Sequence, residues 1–261
     1  MKCFPLAWIA LLLLSSCQKV IDLPLHNASE KYVIEGNITN QPGPYKVMIG
    51  TTGKVNEDYQ FKGVSQATVL IRDGIGNEET LMEMQPGIYQ TQHLTGVEGR
   101  TYTLNVTIGG KLFTASSVMP HAVSLDSLYT RELFNFSKTV KAIVPVVTDP
   151  AGLGNNYRFN QTINGVLDKT LYVYNDDFTD GRRGDWPLLR EDPDSTLHIG
   201  DEVKIEMQCI DHAAYQYWFS ADESSLGNGN GQPANPVTNI LGGALGVFSA
   251  HTSQTRTLLI K

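Results

Sequence analysis

The stretch TYTLNVTIGGKLFTA, residues 101–115, decides the fold. Apolar and polar side chains alternate from Tyr102 to Ile108, which is the period of a strand with one buried face. Gly109-Gly110 is a two-residue hairpin turn, since glycine tolerates the positive φ that tight hairpins require. Residues 111–115 then alternate again and pair back. The sequence therefore predicts an antiparallel hairpin.

Upstream of this hairpin the same pattern repeats. The predicted strands are residues 31–38, 45–49, 66–72 and 79–84. Turn signals separate them at residues 40–44, at Asp73-Gly74 and at Pro86-Gly87. About seven short strands with turns every ~8–12 residues are typical of a small sandwich. We therefore predict an immunoglobulin-like antiparallel sandwich over residues 31–120.

Downstream the sequence is also β-rich but less regular. The predicted strands are residues 139–148, 156–163, 169–174, 203–210, 242–248 and 256–260. Asp211 has the side chain of a helix N-cap, so residues 213–223 form the one predicted helix. The glycine- and proline-rich residues 226–236 are a predicted loop. The fold class is thus all-β, with a second, mainly β domain over residues 121–261 that contains one short helix.

The N-terminus has the features of an export signal. Met1-Lys2 is positively charged, and the apolar run over residues 4–14 is too short for the ~20 residues that span a bilayer. Leu14-Ser15-Ser16-Cys17 resembles a bacterial lipobox, the alternative being an ordinary secretory signal. We therefore predict a signal peptide over residues 1–16, lipidation at Cys17 and a tether over residues 17–30. Two acyl chains would give stable attachment to a membrane.

The net charge argues against a nucleic-acid-binding protein, and the cysteine content argues against a disulfide-stabilised one. The chain has 27 acidic and 20 basic residues and a formal net charge of −7, which excludes binding to nucleic acid phosphates. Of the three cysteines, Cys3 is removed with the signal and Cys17 is lipidated. Cys209 is left without a disulfide partner, and its predicted strand indicates a buried, unreactive thiol rather than a nucleophile.

No catalytic or metal-binding spacing is present. The sequence lacks the nucleophile elbow, the zinc-binding helix pair and the phosphate loop, and its six histidines are scattered. We therefore predict no catalytic residue, no cofactor and no metal. Residues 175–181 offer oxygen ligands that suit calcium, but Phe178 and Pro187 break the EF-hand pattern, so a solvated loop is the preferred interpretation.

The two longest irregular segments, residues 175–187 and 226–236, are the predicted contact surface. The first contains Asp176 and Asp177, then Arg182, Arg183 and Trp186. Tryptophan and arginine are common contact anchors in binding surfaces. The alternative for the tryptophan is that its ring covers the edge of the core.

Several short segments, in order along almost the whole chain, resemble a known family. They include Val33-Ile34-Glu35-Gly36, Pro86-Gly87-Ile88-Tyr89, Gly99-Arg100-Thr101-Tyr102-Thr103-Leu104, Asp126-Ser127-Leu128-Tyr129, Asp149-Pro150-Ala151-Gly152 and Asn239-Ile240-Leu241-Gly242-Gly243. The chain resembles the Bacteroidota lipoproteins that are catalogued as domain of unknown function 4249. The resemblance implies an outer-membrane lipoprotein associated with a TonB-dependent receptor, and it supplies no catalytic residues. Because Gln18 to Ile21 separate Cys17 from the first acid, Asp22, both the periplasmic and the cell-surface face stay open.

Two further predictions follow from this resemblance. Asp126-Ser127-Leu128 resembles the tripeptide to which these bacteria attach O-glycans, so Ser127 is a candidate glycosylation site. The preferred function is a non-enzymatic binding or accessory component of a nutrient-uptake system. The alternatives are a surface hydrolase that uses acids such as Asp176-Asp177 and Glu191-Asp192, and a structural envelope-assembly lipoprotein.

Overall fold

The computed structural model describes residues 30–53, 61–135, 138–192, 196–225 and 235–261. The predicted signal peptide, Cys17 and nearly all of the tether lie outside the described residues. The described strands are β1 (Tyr32–Thr39), β2 (Lys46–Thr51), β3 (Thr68–Asp73), β4 (Glu78–Thr80), β5 (Met82–Gln85), β6 (Ile88–Gln90), β7 (Thr101–Ile108), β8 (Lys111–Val118), β9 (Leu125–Asn135), β10 (Lys138–Thr148), β11 (Asn156–Ile163), β12 (Val166–Leu167), β13 (Tyr172–Asn175), β14 (Arg183–Asp185), β15 (Glu202–Ile210) and β16 (Leu245–Leu259). The one helix among these residues is α1 (His212–Ser225). The predicted all-β class with one short helix is confirmed.

The quoted hairpin lies in a four-stranded sheet with the order β4-β3-β7-β8. Tyr102, Leu104 and Val106 point into the core, and the residues between them face outward. Gly109 and Gly110 connect β7 to β8 with φ angles of +55° and +82°. Burying each large side chain contributes ~1.5–3 kcal/mol, so the alternation seen in the sequence is what holds this sheet against its partner.

The sheet that packs against it has nine strands, which come from both predicted domains. Its order is β12-β11-β15-β16-β1-β2-β6-β5, with β13 beside β11. The C-terminal strand β16 pairs in parallel with β1 and antiparallel with β15. The hydrophobic interior between the four-stranded and the nine-stranded sheets is called the first core. It contains Phe248 and Ala250 of β16, together with Ile34 and Ile38 of β1. The first core therefore contains residues before position 120 together with residues 240–250 of the C-terminal part.

Two details of this sheet differ from the predicted strands. Residues 79–84 are not one strand, because the chain changes sheets at the buried Leu81. The segments predicted at 242–248 and 256–260 are joined into one strand, Leu245–Leu259. The parallel approach of β16 to β1 requires a glycine at Gly246, where φ is +104° and a Cβ atom would collide with the main chain of Ile34.

A second core lies between the nine-stranded sheet and a three-stranded sheet with the order β14-β10-β9. Tyr157 and Phe159 of β11 and Met207 of β15 face it. The β9–β10 register shifts between Val146 and Val147, next to Pro145, which has no N–H to donate to the ladder. Asp126-Ser127-Leu128 belongs to β9.

The helix begins where its N-cap predicts. An Asp211 carboxylate oxygen accepts a hydrogen bond from the main-chain N–H of Ala214 at 2.8 Å. The other oxygen accepts bonds from the Ser117 hydroxyl at 2.7 Å and from the Val118 N–H at 2.9 Å. One side chain therefore caps α1 and ties it to β8 of the first sandwich. Within the described residues, no helix has the length and apolar character needed to cross a membrane.

Candidate functional site

The predicted contact segment, residues 175–187, closes one end of the second core. It runs from the end of β13 through a turn into β14, and β14 pairs with β10 through the register Thr148↔Arg183. Part of the predicted irregular loop is therefore a strand. The reason is that one edge of β10 pairs with β9, and the other edge pairs with residues 183–185 at Val146 to Thr148.

Asp176 is buried, contrary to its predicted place on a contact surface. Only 1% of its surface is exposed. One of its carboxylate oxygens accepts hydrogen bonds from the main-chain N–H groups of Gly154 and Asn155, both at 2.9 Å. Such bonds to a charged acceptor contribute ~1.5–3 kcal/mol. Asp176 therefore holds two loops together and is not available to a partner.

Three of the predicted contact residues do lie at the surface. Asp177, Arg182 and Arg183 are exposed, and the Asn175 amide donates to Asp177 at 2.6 Å. Phe178, beside them in the turn, is 93% exposed. These side chains form an exposed tip over residues 177–183 that carries charges of both signs and one aromatic ring.

Trp186 is half-buried and packs against the second core. Its ring stacks on Tyr174 with the centroids 5.3 Å apart, and it also contacts Tyr157 and Phe159. The Trp186 ring passes so close to Gly184 that a Cβ atom at Gly184 would lie 2.6 Å from it. The core-edge alternative therefore describes its position, and the predicted contact role does not.

Three carboxylates meet behind the exposed tip. Oxygens of Asp149, Asp176 and Asp180 all lie within 4.8 Å of one another. Asp149 is 2% exposed, and the Tyr157 hydroxyl donates a hydrogen bond to it. Burial, together with the neighbouring Asp176 and Asp180, raises the pKa of the Asp149 carboxyl. These are the described residues that could hold a hard cation such as calcium, but the backbone N–H groups already occupy much of the Asp176 carboxylate.

A group of charged residues that the sequence interpretation missed lies on the outer face of the nine-stranded sheet. Arg158 of β11, Glu206 of β15 and His251 of β16 all point to this face. The Arg158 guanidinium lies over the Trp218 ring of α1 at 3.8 Å from the centroid. The strand alternation could have assigned these side chains to one face, but the helix that covers them comes from tertiary packing.

Burial changes the proton affinity of each of these groups. It lowers the pKa of the Arg158 guanidinium to about 10 and that of His251 to about 4, so the imidazole is neutral at pH 7. Burial alone would raise the pKa of the Glu206 carboxyl, but hydrogen bonds from Ser253, Asn160 and Gln208 hold it below its usual value. The Gln208 amide links Arg158 to Glu206, and a buried network that is bonded in this way stabilises one arrangement of the strands.

The remaining predicted residues have separate positions. Ser127 is exposed on β9, opposite Val146, and its glycosylation stays a prediction. Cys209 is 3% exposed, as predicted for a buried thiol, and its sulfur accepts the Val123 N–H at 3.4 Å. Cys17 lies outside the described residues, as do residues 226–234 of the second predicted loop.

Two comparisons bear on what the chain is. A model of the family described as a domain of unknown function, DUF4249, matches residues 18–257. No curated protein matches the chain. The family match covers both cores, from the tether to the C-terminal strand.

Proposed function

The chain belongs to the DUF4249 family, and on this premise we propose that it is a lipid-anchored, non-catalytic binding component of the bacterial cell envelope. Its partner would be a TonB-dependent receptor of an outer-membrane nutrient-uptake system. The observation that carries the proposal is the lipobox Leu14-Ser15-Ser16-Cys17. The family match begins at Gln18, directly after the cysteine that would become the N-terminus, and this supports the anchor.

The arrangement of acids favours binding over hydrolysis. A hydrolase of the alternative kind needs two carboxylates that project into one cleft at ~5–10 Å from each other. Asp176 is buried and bonded to main-chain N–H groups. Glu191 is exposed on a loop that its own N–H ties to the Thr170 hydroxyl. Asp176 is therefore unavailable as a general acid or base, which supports the binding role over the hydrolase.

The exposed tip over residues 177–183 is the proposed contact surface. The strands β10 and β13 hold it rigidly, since β14 pairs with β10 and the Asp180 carboxylate accepts the Gly152 N–H at 2.6 Å. A rigid tip loses little conformational entropy when it binds. Arg182, Arg183 and Phe178 are its candidate contacts, in place of Trp186.

The test of the anchor is Cys17→Ala with cells labelled by a radioactive fatty acid. The wild-type protein should carry label and sediment with the outer membrane. The variant should carry no label and should not sediment with the membrane fraction. Cys209→Ala is the matched control and should keep both. Label retained by Cys17→Ala would refute the anchor.

The test of the partner is an affinity pull-down from detergent-solubilised envelopes of the native bacterium. A TonB-dependent receptor should co-purify with the wild-type protein, and Arg182→Ala/Arg183→Ala should reduce its recovery. Lys204→Ala, which removes an exposed positive charge from β15 of the nine-stranded sheet, serves as the control. Recovery of the receptor unchanged by the arginine variant would show that the tip is not the contact.

A further inference from the structure

A cleft of about 750 Å³ opens in the first sandwich. The residues that line it are separate in the sequence from the contact segment 175–187. One wall is the turn after β1, residues 40–44. The other is formed by the end of β6 and the segment that follows it, residues 90–95, and Met84 of the edge strand β5 also lines the cleft. The volume falls within the ~300–1,000 Å³ of small-molecule sites.

Buried hydrogen bonds fix the width of this cleft. The Tyr45 hydroxyl donates to the Gln41 carbonyl at 2.7 Å and accepts the Gly96 N–H at 2.9 Å, so one side chain bridges both walls. The Tyr45 N–H donates to the Thr91 hydroxyl oxygen at 2.9 Å. A site whose walls are held in this way is formed before a ligand arrives, which lowers the entropic cost of binding.

A carboxylate from outside the lining fixes the second wall. Glu79 accepts main-chain N–H groups from three successive residues, including His93 at 3.1 Å and Leu94 at 2.6 Å. These bonds satisfy the main-chain donors of residues 92–94, and Glu79 is not among the residues that line the cleft. The main chain of residues 92–94 is therefore held in place. The Gln92 amide donates to the Met82 sulfur, whereas the His93 ring and the Thr95 hydroxyl stay available.

The lining is uncharged. No Asp, Glu, Lys or Arg side chain belongs to it, and His93 is the one titratable group. The Gln90 amide, the Thr95 hydroxyl and the His93 ring make no hydrogen bond to any other described residue. Pro42, Pro44, Met84 and Leu94 supply apolar surface beside them. An anionic ligand would find no cation here, and a cationic ligand would find no acid.

We propose that this cleft binds a neutral oligosaccharide. Sugar hydroxyls donate and accept hydrogen bonds, as amide and hydroxyl side chains do, and the C–H face of a sugar ring suits proline, methionine and leucine surface. The cleft satisfies both requirements without a charge. The proposal goes beyond the envelope function proposed above and is independent of the anchor and of the receptor.

The test uses the full lipidated chain in a detergent without a sugar headgroup, so that the detergent does not occupy the cleft. Binding is measured by calorimetry with maltohexaose, cellohexaose, mannohexaose and xylohexaose, after a screen on an array of neutral and charged glycans. Oligogalacturonate and chitosan oligomers are the anionic and cationic comparisons. A neutral oligosaccharide should bind, and the charged ones should not.

Two variants locate the binding. Gln90→Ala removes one direct hydrogen bond worth about 1 kcal/mol, so the dissociation constant should rise about 5-fold. Thr95→Trp fills the cleft from an exposed position and should abolish binding with an unchanged melting temperature. Gln216→Ala, an exposed amide on α1, is the matched control and should bind like the wild type. The proposal is overturned if no neutral glycan binds, if a charged glycan binds more tightly, or if Thr95→Trp binds with the wild-type affinity; none of these results would affect the anchor.

Discussion

Replacing Trp186 by alanine should destabilise the protein rather than weaken a contact with a partner. A large aromatic side chain buries ~150–250 Å², so a half-buried indole buries ~100 Å² and contributes about 2.5 kcal/mol at ~25 cal/mol per Å². The stacking on Tyr174, 5.3 Å between centroids, adds about 0.5–1.5 kcal/mol. We therefore expect the free energy of unfolding to fall by about 3–4 kcal/mol, which corresponds to a melting temperature lower by about 6–16 °C.

The measurement is urea and thermal unfolding followed by far-UV circular dichroism, because the substitution removes a fluorescent reporter. Phe178→Ala is the matched control, since Phe178 is an aromatic residue of the same segment and is 93% exposed. Its effect should stay within about 0.5 kcal/mol. Trp186→Phe should fall between the two, since a smaller ring keeps part of the stacking. If Trp186→Ala unfolds like Phe178→Ala, the ring is not part of the core and the reasoning fails.

Two other predictions concern buried titratable groups. His251 has a pKa of about 4 in the folded protein against an ordinary value of 6.5, so the unfolded chain binds its proton first and stability falls as the pH drops from about 6.5 to 4. The loss should reach about 3 kcal/mol at ~1.36 kcal/mol per pKa unit, and His251→Gln should flatten that part of a stability curve measured by urea unfolding between pH 7 and pH 4; an unchanged curve would contradict it. Burial raises the pKa of the Cys209 thiol and leaves it 3% exposed, so a chromogenic disulfide reagent should react with it in urea but not in the native state, and rapid native reaction would contradict the burial.

The local elements could be predicted because their causes are local. Alternation at Tyr102, Leu104 and Val106 predicts a strand, and Gly109-Gly110 predicts the turn that follows. Asp211 marks the start of the helix for the same reason, since an N-cap bonds to a main-chain N–H three residues away. Each of these features depends on residues within a few positions in the chain.

The continuity of β16 was not predictable in this way. Its middle, Ser249 to Ser253, is polar and lacks the apolar alternation of a surface strand. It is nevertheless a strand because β15 pairs with it on one side and β1 on the other. The residues that pair between β1 and β16 are ~200 positions apart. This pairing depends on the whole fold, because only the final packing offsets the entropic cost of closing such a long loop.

The candidate sites also fall into two groups, one set by the local sequence and the other set by tertiary packing. The lipobox at Cys17, the all-β class, the helix start and the solitary Cys209 depend on residue type and local spacing, so the sequence by itself determined them as expectations. Only the tertiary structure decided that Asp176 is an internal anchor, that Trp186 packs on the core and that residues 40–44 and 90–95 face each other across a cleft. The physical reason is that burial and proximity are properties of the packed chain: a carboxylate or an indole has the same local sequence whether solvent or a second strand covers it.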